Sequence, residues 1–431
     1  MNTLVWFRND LRVSDNQSLT LACKEKKVIA VYCLDPELLI EGPYGFRKME
    51  KYRVKFLLES LKVLQDNLAS LNISLLFYLK KPKEILPSLI EKHHIKQVYL
   101  QKEWTKNEVN ELVQVKQQCP SGISFIESYD QFLFHPSDLP YAEVSNIPEV
   151  FTTFRKKCEK YSKVRPAISR PAAKPSENLL SDKTSVPNLS DLGFIPFNPH
   201  PHSAFPFEGG ENAAMERIQE YFWDTRKLAF YKRTRNGLMG KDYSSKLSAW
   251  LANGSISART IYWAIQEFEN KVIKNQDTYW LVFELIWRDY FKYVSMKHGH
   301  KIFTLGGILN KSYDWGNSET TKLSWIHGTT KEPFVNANMI ELAKTGWMSN
   351  RGRQNVASYW AKELKQDWRI GAAYFESILI DYDVHSNWGN WMYNSGVGND
   401  PRDRKFNIKR QAELYDPAGK FQNLWLQDTL F

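Results

Sequence analysis

The chain has 431 residues, enough for two or three domains and a large core. Its 42% hydrophobic and 25% charged residues are the balance of a globular protein, and no window approaches 18 continuous apolar residues, which argues against a membrane span. Lys plus Arg exceed Asp plus Glu by 58 to 48, a formal charge of +10 that either favours a polyanionic partner or serves solubility. The 15 tryptophans point to planar ligands or to a heavily aromatic core.

The opening residues, MNTLVWFRND, lack the basic and apolar regions of a signal peptide and read as a first strand. Cys23, Cys33, Cys119 and Cys158 form no CxxC pair and no metal spacing, as expected of reduced thiols in a cytoplasmic protein. Through residue 130, the runs TLVWFR, KVIAVYCLD, SLLFYL, QVYLQ and ISFIES read as buried strands. The helical stretches KYRVKFLLESLKVLQDNLASL and KEILPSLIEKHHI fall between them, so residues 1–130 are expected to form an α/β domain around a doubly wound parallel sheet. Its ligand crevice would lie at the strand C-termini, and the absence of GxGxxG disfavours dinucleotide binding there.

Residues 131–210 are rich in Pro and Ser and read as a long connector. HPH at 200–202 and HGH at 298–300 are isolated loop histidines, so no metal site is expected. Residues 211–431 carry helical periodicity throughout, in ENAAMERIQEYFWD, SARTIYWAIQEFENKV, TYWLVFELIWRDYFKYVSMK, FVNANMIELAKTG, NVASYWAKELKQD and GAAYFESILIDYD. This is the pattern of a larger all-α domain.

Four constellations in the helical region carry chemistry. In TRNGLMGKDYSSKLSAWLANGSISAR, Gly237 and Gly240 allow a tight loop, and Ser244, Ser245, Lys246 and Ser248 surround a helix start. They suit a phosphate, or the serines simply cap the helix. In ELIWRDYF, Glu284, Trp287, Arg288 and Phe291 share one helix face; they meet a heteroaromatic ligand, or Glu284 pairs internally with Arg288 beside a core Trp. In GWMSNRGRQNVASYW, Asn350, Arg351 and Arg353 crowd a helix start against its dipole, which calls for an anionic partner; an internal carboxylate is the plain choice. The stretch from 379 to 400, LIDYDVHSNWGNWMYNSGVGND, has Asp381 and Asp383 two apart, so they serve one site only where the backbone leaves the helix. Asn387 and NWGNW are expected to mark that break. No Ser/His/Asp order and no HExxH supports hydrolysis.

Together, VWFRNDLRVSDN, TRNGLMGKDYSSKLS, ELIWRDYF, NRGRQN, DYDVHSNWGNW, VGNDPR and YDPAGKFQNLWL resemble the photolyase/cryptochrome family, and the DASH cryptochromes above all, over nearly the whole chain. The resemblance implies an FAD-binding helical domain. Tyr231 and the run Ser244, Ser245, Lys246, Leu247, Ser248 match adenosine and diphosphate contacts. Arg353 and Asp381 match the ion pair flanking the flavin ring, Asp383 its polar edge, and Asn387 the residue facing N5, where photolyases have Asn and plant cryptochromes Asp. Trp391, Trp368 and Trp315 match the electron-passing tryptophan chain. Such a site needs no nucleophile, because the cofactor does the chemistry.

Glu284 and Trp287 match residues that bond and stack on a flipped pyrimidine dimer. Tyr393 stands where a second Trp is usual and Gln354 where a Met is usual, both changes typical of the DASH group. Arg235, Arg288, Asn350, Arg351 and Gln411 match DNA-contact or pocket-rim positions. Glu103 resembles the carboxylate that binds the pterin of a 5,10-methenyltetrahydrofolate antenna, and His385 stands where a smaller or sulfur-bearing residue is expected. The implied function is light-driven repair of cyclobutane pyrimidine dimers in single-stranded or looped DNA by a cytoplasmic monomer. A blue-light photoreceptor or DNA-binding regulator with little repair is the alternative, against which stands the short sequence beyond Trp425, without a signalling tail.

Overall fold

The computed structural model describes residues 1–182 and 184–427. All five expected strands form: β1 (Asn2–Phe7), β2 (Lys27–Cys33), β3 (Leu75–Tyr78), β4 (Ile95–Gln101) and β5 (Ser124–Ser128). They make one parallel sheet in the order β3-β2-β1-β4-β5. Their apolar runs are continuous because both faces are covered. Val5, Phe7, Val28 and Ala30 pack under α1 (Gln17–Ala22) and α2 (Lys51–Ala69). Leu4, Trp6, Ile29 and Val31 pack under α3 (Pro82–Lys92) and α4 (Lys106–Gln118). The sheet is therefore doubly wound, with the strand order reversing between β1 and β4.

The connector contains a helix, α5 (Phe151–Tyr161), which the Pro- and Ser-rich composition of its surroundings conceals. Phe151, Phe154 and Cys158 are buried at helical spacing. With Phe132, Leu133, Phe134 and Ile147 they belong to the core of the helical region.

That region holds α6 (Glu211–Ile218), α7 (Tyr231–Thr234), α8 (Ser248–Ala252), α9 (Ala258–Lys271), α10 (Gln276–His298) and α11 (Glu319–Ile326). It continues with α12 (Pro333–Thr345), α13 (Asn350–Ser358), α14 (Trp368–Ile378), α15 (Val384–Ser395), α16 (Ile408–Tyr415) and α17 (Lys420–Gln427). The long α10 is fixed at its start by a reciprocal Asn275–Thr278 capping box. The break expected at NWGNW lies elsewhere: α15 runs through that motif, and the chain leaves helix at residues 379–383. Gly389 is in α15 because α10 packs against it; a Cβ there would collide with the ring of Phe291.

Buried polar contacts join the two halves. Arg259 of α9 binds Asp15 (2.8 Å) and Asp130 (3.1 Å), and Arg12 donates to the Gly254 carbonyl (2.9 Å). Glu211 accepts from the Val13 and Ser14 amides at 2.9 and 3.0 Å. Among the described residues, no helix is long and apolar enough to cross a membrane, and no group of three or more His, Cys, Asp or Glu side chains could hold a metal. His200 and His202 lie against Trp425, and His298 lies 3.1 Å from Glu149.

Candidate cofactor and substrate cavity

A cavity of about 510 Å³ opens in the helical region. This is within the usual range for an organic ligand, roughly 300–1,000 Å³. It brings together most of the residues singled out from sequence: Tyr231, Arg235, Ser244 to Ser248, Glu284, Trp287, Arg288, Asn350, Arg351, Arg353, Gln354, Asp381, Asp383 and Tyr393.

One wall is the 243–248 loop. The capping explanation of its serines does not hold: α8 has Leu247 at its N-cap position and no side-chain cap. Instead Ser248 Oγ donates to Asp381 at 2.7 Å. Lys246 adopts a left-handed φ of 63°, a sparsely populated conformation for a side chain of this kind. Its side chain lies across Tyr243, with Nζ 3.1 Å from the ring centroid, and 4.9 Å from that of Trp347. Nζ is buried without a hydrogen-bond partner among the described residues, and burial pushes its pKa well below the ordinary lysine value. The nearby Glu341 carboxyl is pushed up to about 8 by burial. An unpartnered buried amine lining a cavity fits a ligand that brings negative charge.

The second wall is the break between α14 and α15. Arg353 NH2 donates to both oxygens of Asp381, at 2.9 and 3.0 Å, so the crowded arginine has the internal carboxylate expected of it. Asp383 caps α15 through the Ser386 amide (2.8 Å) and pairs with Lys292 (2.9 Å). Burial alone would raise the Asp383 carboxyl, but Lys292 and Arg288 hold it well below the usual carboxylate range. Leaving the helix at 379–383 lets both aspartates line one cavity.

The third wall is α10. The i,i+4 pair of Glu284 with Arg288 does not form. Glu284 pairs with Arg235 across the cavity, and Arg288 donates to the carbonyls of Gln131 (2.5 Å) and Leu251 (3.2 Å). Burial raises the Glu284 carboxyl above its ordinary value against the pull of Arg235. Trp287 faces Tyr393 edge-on, with ring centroids 6.0 Å apart and planes at 88°. Arg351 donates to Gln354 (2.9 Å) and Asn236 (3.3 Å), and Arg404 to the Tyr393 hydroxyl (3.3 Å).

Several residues of interest stand off the lining. Asn387 is buried, and its amide donates to the Ala372 carbonyl at 3.0 Å. Gln411 is half-buried on α16. Trp391 and Trp368 are buried and Trp315 is half-buried. Trp391 touches Phe375 (5.1 Å) and Trp325 (6.2 Å), and Gly371 has no room for a Cβ beside its ring. The backbone of Gly316 bonds to those of Lys365 and Asp367, which sets Trp315 near the start of α14 at Trp368.

Glu103 follows β4 at the switch point of the sheet, where Gln101 Nε2 donates to it at 2.8 Å. Asp10, after β1, is pushed up to about 6 by burial. His385 is buried, stacked on Trp104 (4.6 Å, 18°) and 2.6 Å from Ser295 Oγ, which also accepts from Trp104 Nε1 at 2.8 Å. Sequence reasoning missed Tyr243, Trp347, Ser386, Asn390, Asn394, Asp400 and Arg404 of the lining. The spacing of Ser386, Asn390, Tyr393 and Asn394 marks one helical face, and that was the available signal.

Comparison with known proteins agrees with this geometry. The DNA photolyase model matches residues 3–176, and the FAD binding domain of DNA photolyase matches residues 280–429. The chain is similar to Cryptochrome DASH of Gloeobacter violaceus, 45% identical over 430 residues, covering 99% of this chain and 85% of that one. Cryptochrome DASH of Xenopus laevis is 44% identical over 427 residues, covering 98% and 82%. The crystal structure of a Synechocystis cryptochrome superposes with a TM-score of 0.94 at 42% identity, covering 99% and 88%. A class III photolyase from Agrobacterium tumefaciens gives 0.84 at 25%, covering 99% and 86%.

Proposed function

The chain belongs to the photolyase/cryptochrome family, in its cryptochrome DASH group, and from that premise we propose that it splits cyclobutane pyrimidine dimers in single-stranded or looped DNA under blue light. The observation that carries this reading is one cavity lined by an anion-ready loop, by Glu284, Trp287, Gln354 and Tyr393, and by Arg235, Arg351 and Arg404. FAD, when bound and reduced, supplies the photoexcited electron that opens the cyclobutane ring and is then returned.

The chain's own residues bind and orient. Lys246 gives the diphosphate a partner for its charge. The Arg353–Asp381 pair and Asp383 would brace the polar side of the ring, and Asn387, which stands off the lining, would serve N5 after its amide turns from the Ala372 carbonyl. Trp391, Trp368 and Trp315 carry electrons inward from the surface. Glu284 exchanges Arg235 for the base edges of the dimer, while Trp287 stacks on it. Asn350, Arg351 and Gln411 contact the strand. Extruding a dimer from a duplex costs a few kcal/mol. Tyr393 and Gln354 give up stacking surface, which is worth about 1–3 kcal/mol per base. The single strand is then the substrate, since it has no pairing to lose. Glu103, at the C-terminal end of β4, would accept from the pterin N–H groups of a 5,10-methenyltetrahydrofolate antenna. The protein acts as a cytoplasmic monomer.

The test is repair of one dimer-containing sequence under blue light, presented single-stranded and as an intact duplex. Repair of the single strand alone is expected. Equal repair of both would remove the argument from Tyr393 and Gln354. Repair of neither by flavin-loaded, reduced protein would favour the photoreceptor reading, to which the same two residues lend weight.

A further inference from the structure

Trp287 lines the cavity, but one face of its indole is already taken. Phe151, the first residue of α5, lies flat on it with ring centroids 3.6 Å apart and planes at 12°. Phe151 is itself held edge-on by Phe283 (5.3 Å) and Tyr290 (5.5 Å) and is only 6% exposed. The residues before it are clamped. Glu149 accepts from Lys297 (2.6 Å) and Asn399 Nδ2 (2.9 Å) and lies 3.1 Å from His298 Nε2. Lys297 also donates to the Ile147 carbonyl (2.7 Å), and the Tyr290 hydroxyl to the Pro148 carbonyl (3.2 Å). The His298 and Lys297 contacts hold the Glu149 carboxyl down at about 2.

We propose that the connector segment 147–151 is a working part of the base-binding site, with Phe151 a positioning residue that, together with Phe291 (5.5 Å, 29°), fixes the plane of Trp287. The identity of the stacked group as a dimer rests on the function proposed above. The positioning itself does not. A wall on which Trp287 is the one lining indole gains from having that indole immobilised before the base arrives, because the ordering entropy is then spent on folding and not on binding. Tyr393, at 88° to Trp287, forms the other side of the corner into which the base fits. A second indole there would make the fixed plane of the first less important.

Two measurements test this on flavin-loaded Phe151→Ala, Phe151→Leu and Phe151→Tyr. The first is dark binding, by fluorescence anisotropy, of labelled oligo-dT with and without a single dimer. The Ala and Leu variants are expected to weaken dimer binding roughly 3- to 10-fold with undamaged DNA unchanged, and the Tyr variant to bind as the parent does. The second is ¹⁹F NMR of protein labelled with 5-fluorotryptophan, with the Trp287 signal assigned by its loss in Trp287→Phe. That signal should broaden in the Ala and Leu variants and stay sharp in the Tyr variant, as ring motion is released or retained. A parent protein that does not prefer the dimer would sink the repair reading, while the NMR arm still decides the role of Phe151. A sharp Trp287 signal in Phe151→Leu would overturn the inference, and so would an undiminished dimer preference beside a preferring parent.

Discussion

At the scale of single residues, His385 shows how a position read as anomalous acquires a cause. A histidine beside a flavin site invites a catalytic reading. Here its ring is stacked on Trp104 and bonded to Ser295, filling the seam between the sheet domain and α10. Burial, reinforced by Lys292, pushes its pKa well below the ordinary 6.5. The sign of the linkage follows. Below about pH 6.5 the unfolded chain binds a proton at this position and the folded chain does not, so acid favours unfolding. His385→Phe keeps the stacking and removes the titration. We expect the denaturation midpoint of the parent to fall more steeply between about pH 6.5 and 5 than that of the variant. Parallel curves would mean that His385 takes up its proton in the folded state. Other residues were legible from sequence because chemistry follows directly from residue type: Lys246 among serines, or Arg353 with a carboxylate to find. The Arg235–Glu284 pair was not, because it joins helices 49 positions apart with no local pattern.

At the scale of elements, the strands and most helices could be read from periodicity, and the failures have physical reasons. α15 has no clean apolar stripe because one of its faces lines the cavity. Two of its asparagines satisfy themselves along the helix: Asn390 donates to the Ser386 carbonyl (2.7 Å) and Asn394 to that of Asn390 (2.9 Å). A polar, Gly-containing stretch can thus remain helical when a ligand face and a close neighbour require it. The α14–α15 junction is held by Asp383, which caps one helix and neutralises Lys292 of another. Removing either partner leaves the other charge buried, at a cost of about 3–5 kcal/mol. Asp383→Asn retains a capping side chain, and Lys292→Met retains volume. Each should therefore destabilise flavin-stripped protein strongly in urea, while the double variant should cost clearly less than their sum. Additive losses would show that the two side chains do not act as a pair.

At the scale of the whole molecule, the arrangement of domains was foreseeable, but not what joins them. An alternating strand–helix pattern followed by continuous helix implies two units, and a basic balance fits a cavity lined by Arg235, Arg351 and Arg404. The joint itself is a set of contacts more than a hundred positions apart. Arg259, in an otherwise amphipathic α9, sends its guanidinium to Asp15 beyond β1 and to Asp130 beyond β5. All three side chains are at most 3% exposed. Because the pair of aspartates also holds the Ile168 and Gln17 amides, one arginine ties the sheet, the connector and the helical region together. Arg259→Met would leave two buried carboxylates without their guanidinium partner, since Arg12 beside them bonds only their backbone carbonyls, costing about 3–5 kcal/mol. The loss should fall on the joint and not on either core, since the sheet and the helices keep their own apolar packing. Urea unfolding followed by far-ultraviolet circular dichroism and by flavin release should then separate into two transitions in the variant, with flavin lost first. Coincident transitions at a lowered midpoint would mean that the two regions fold as one unit even without this tie.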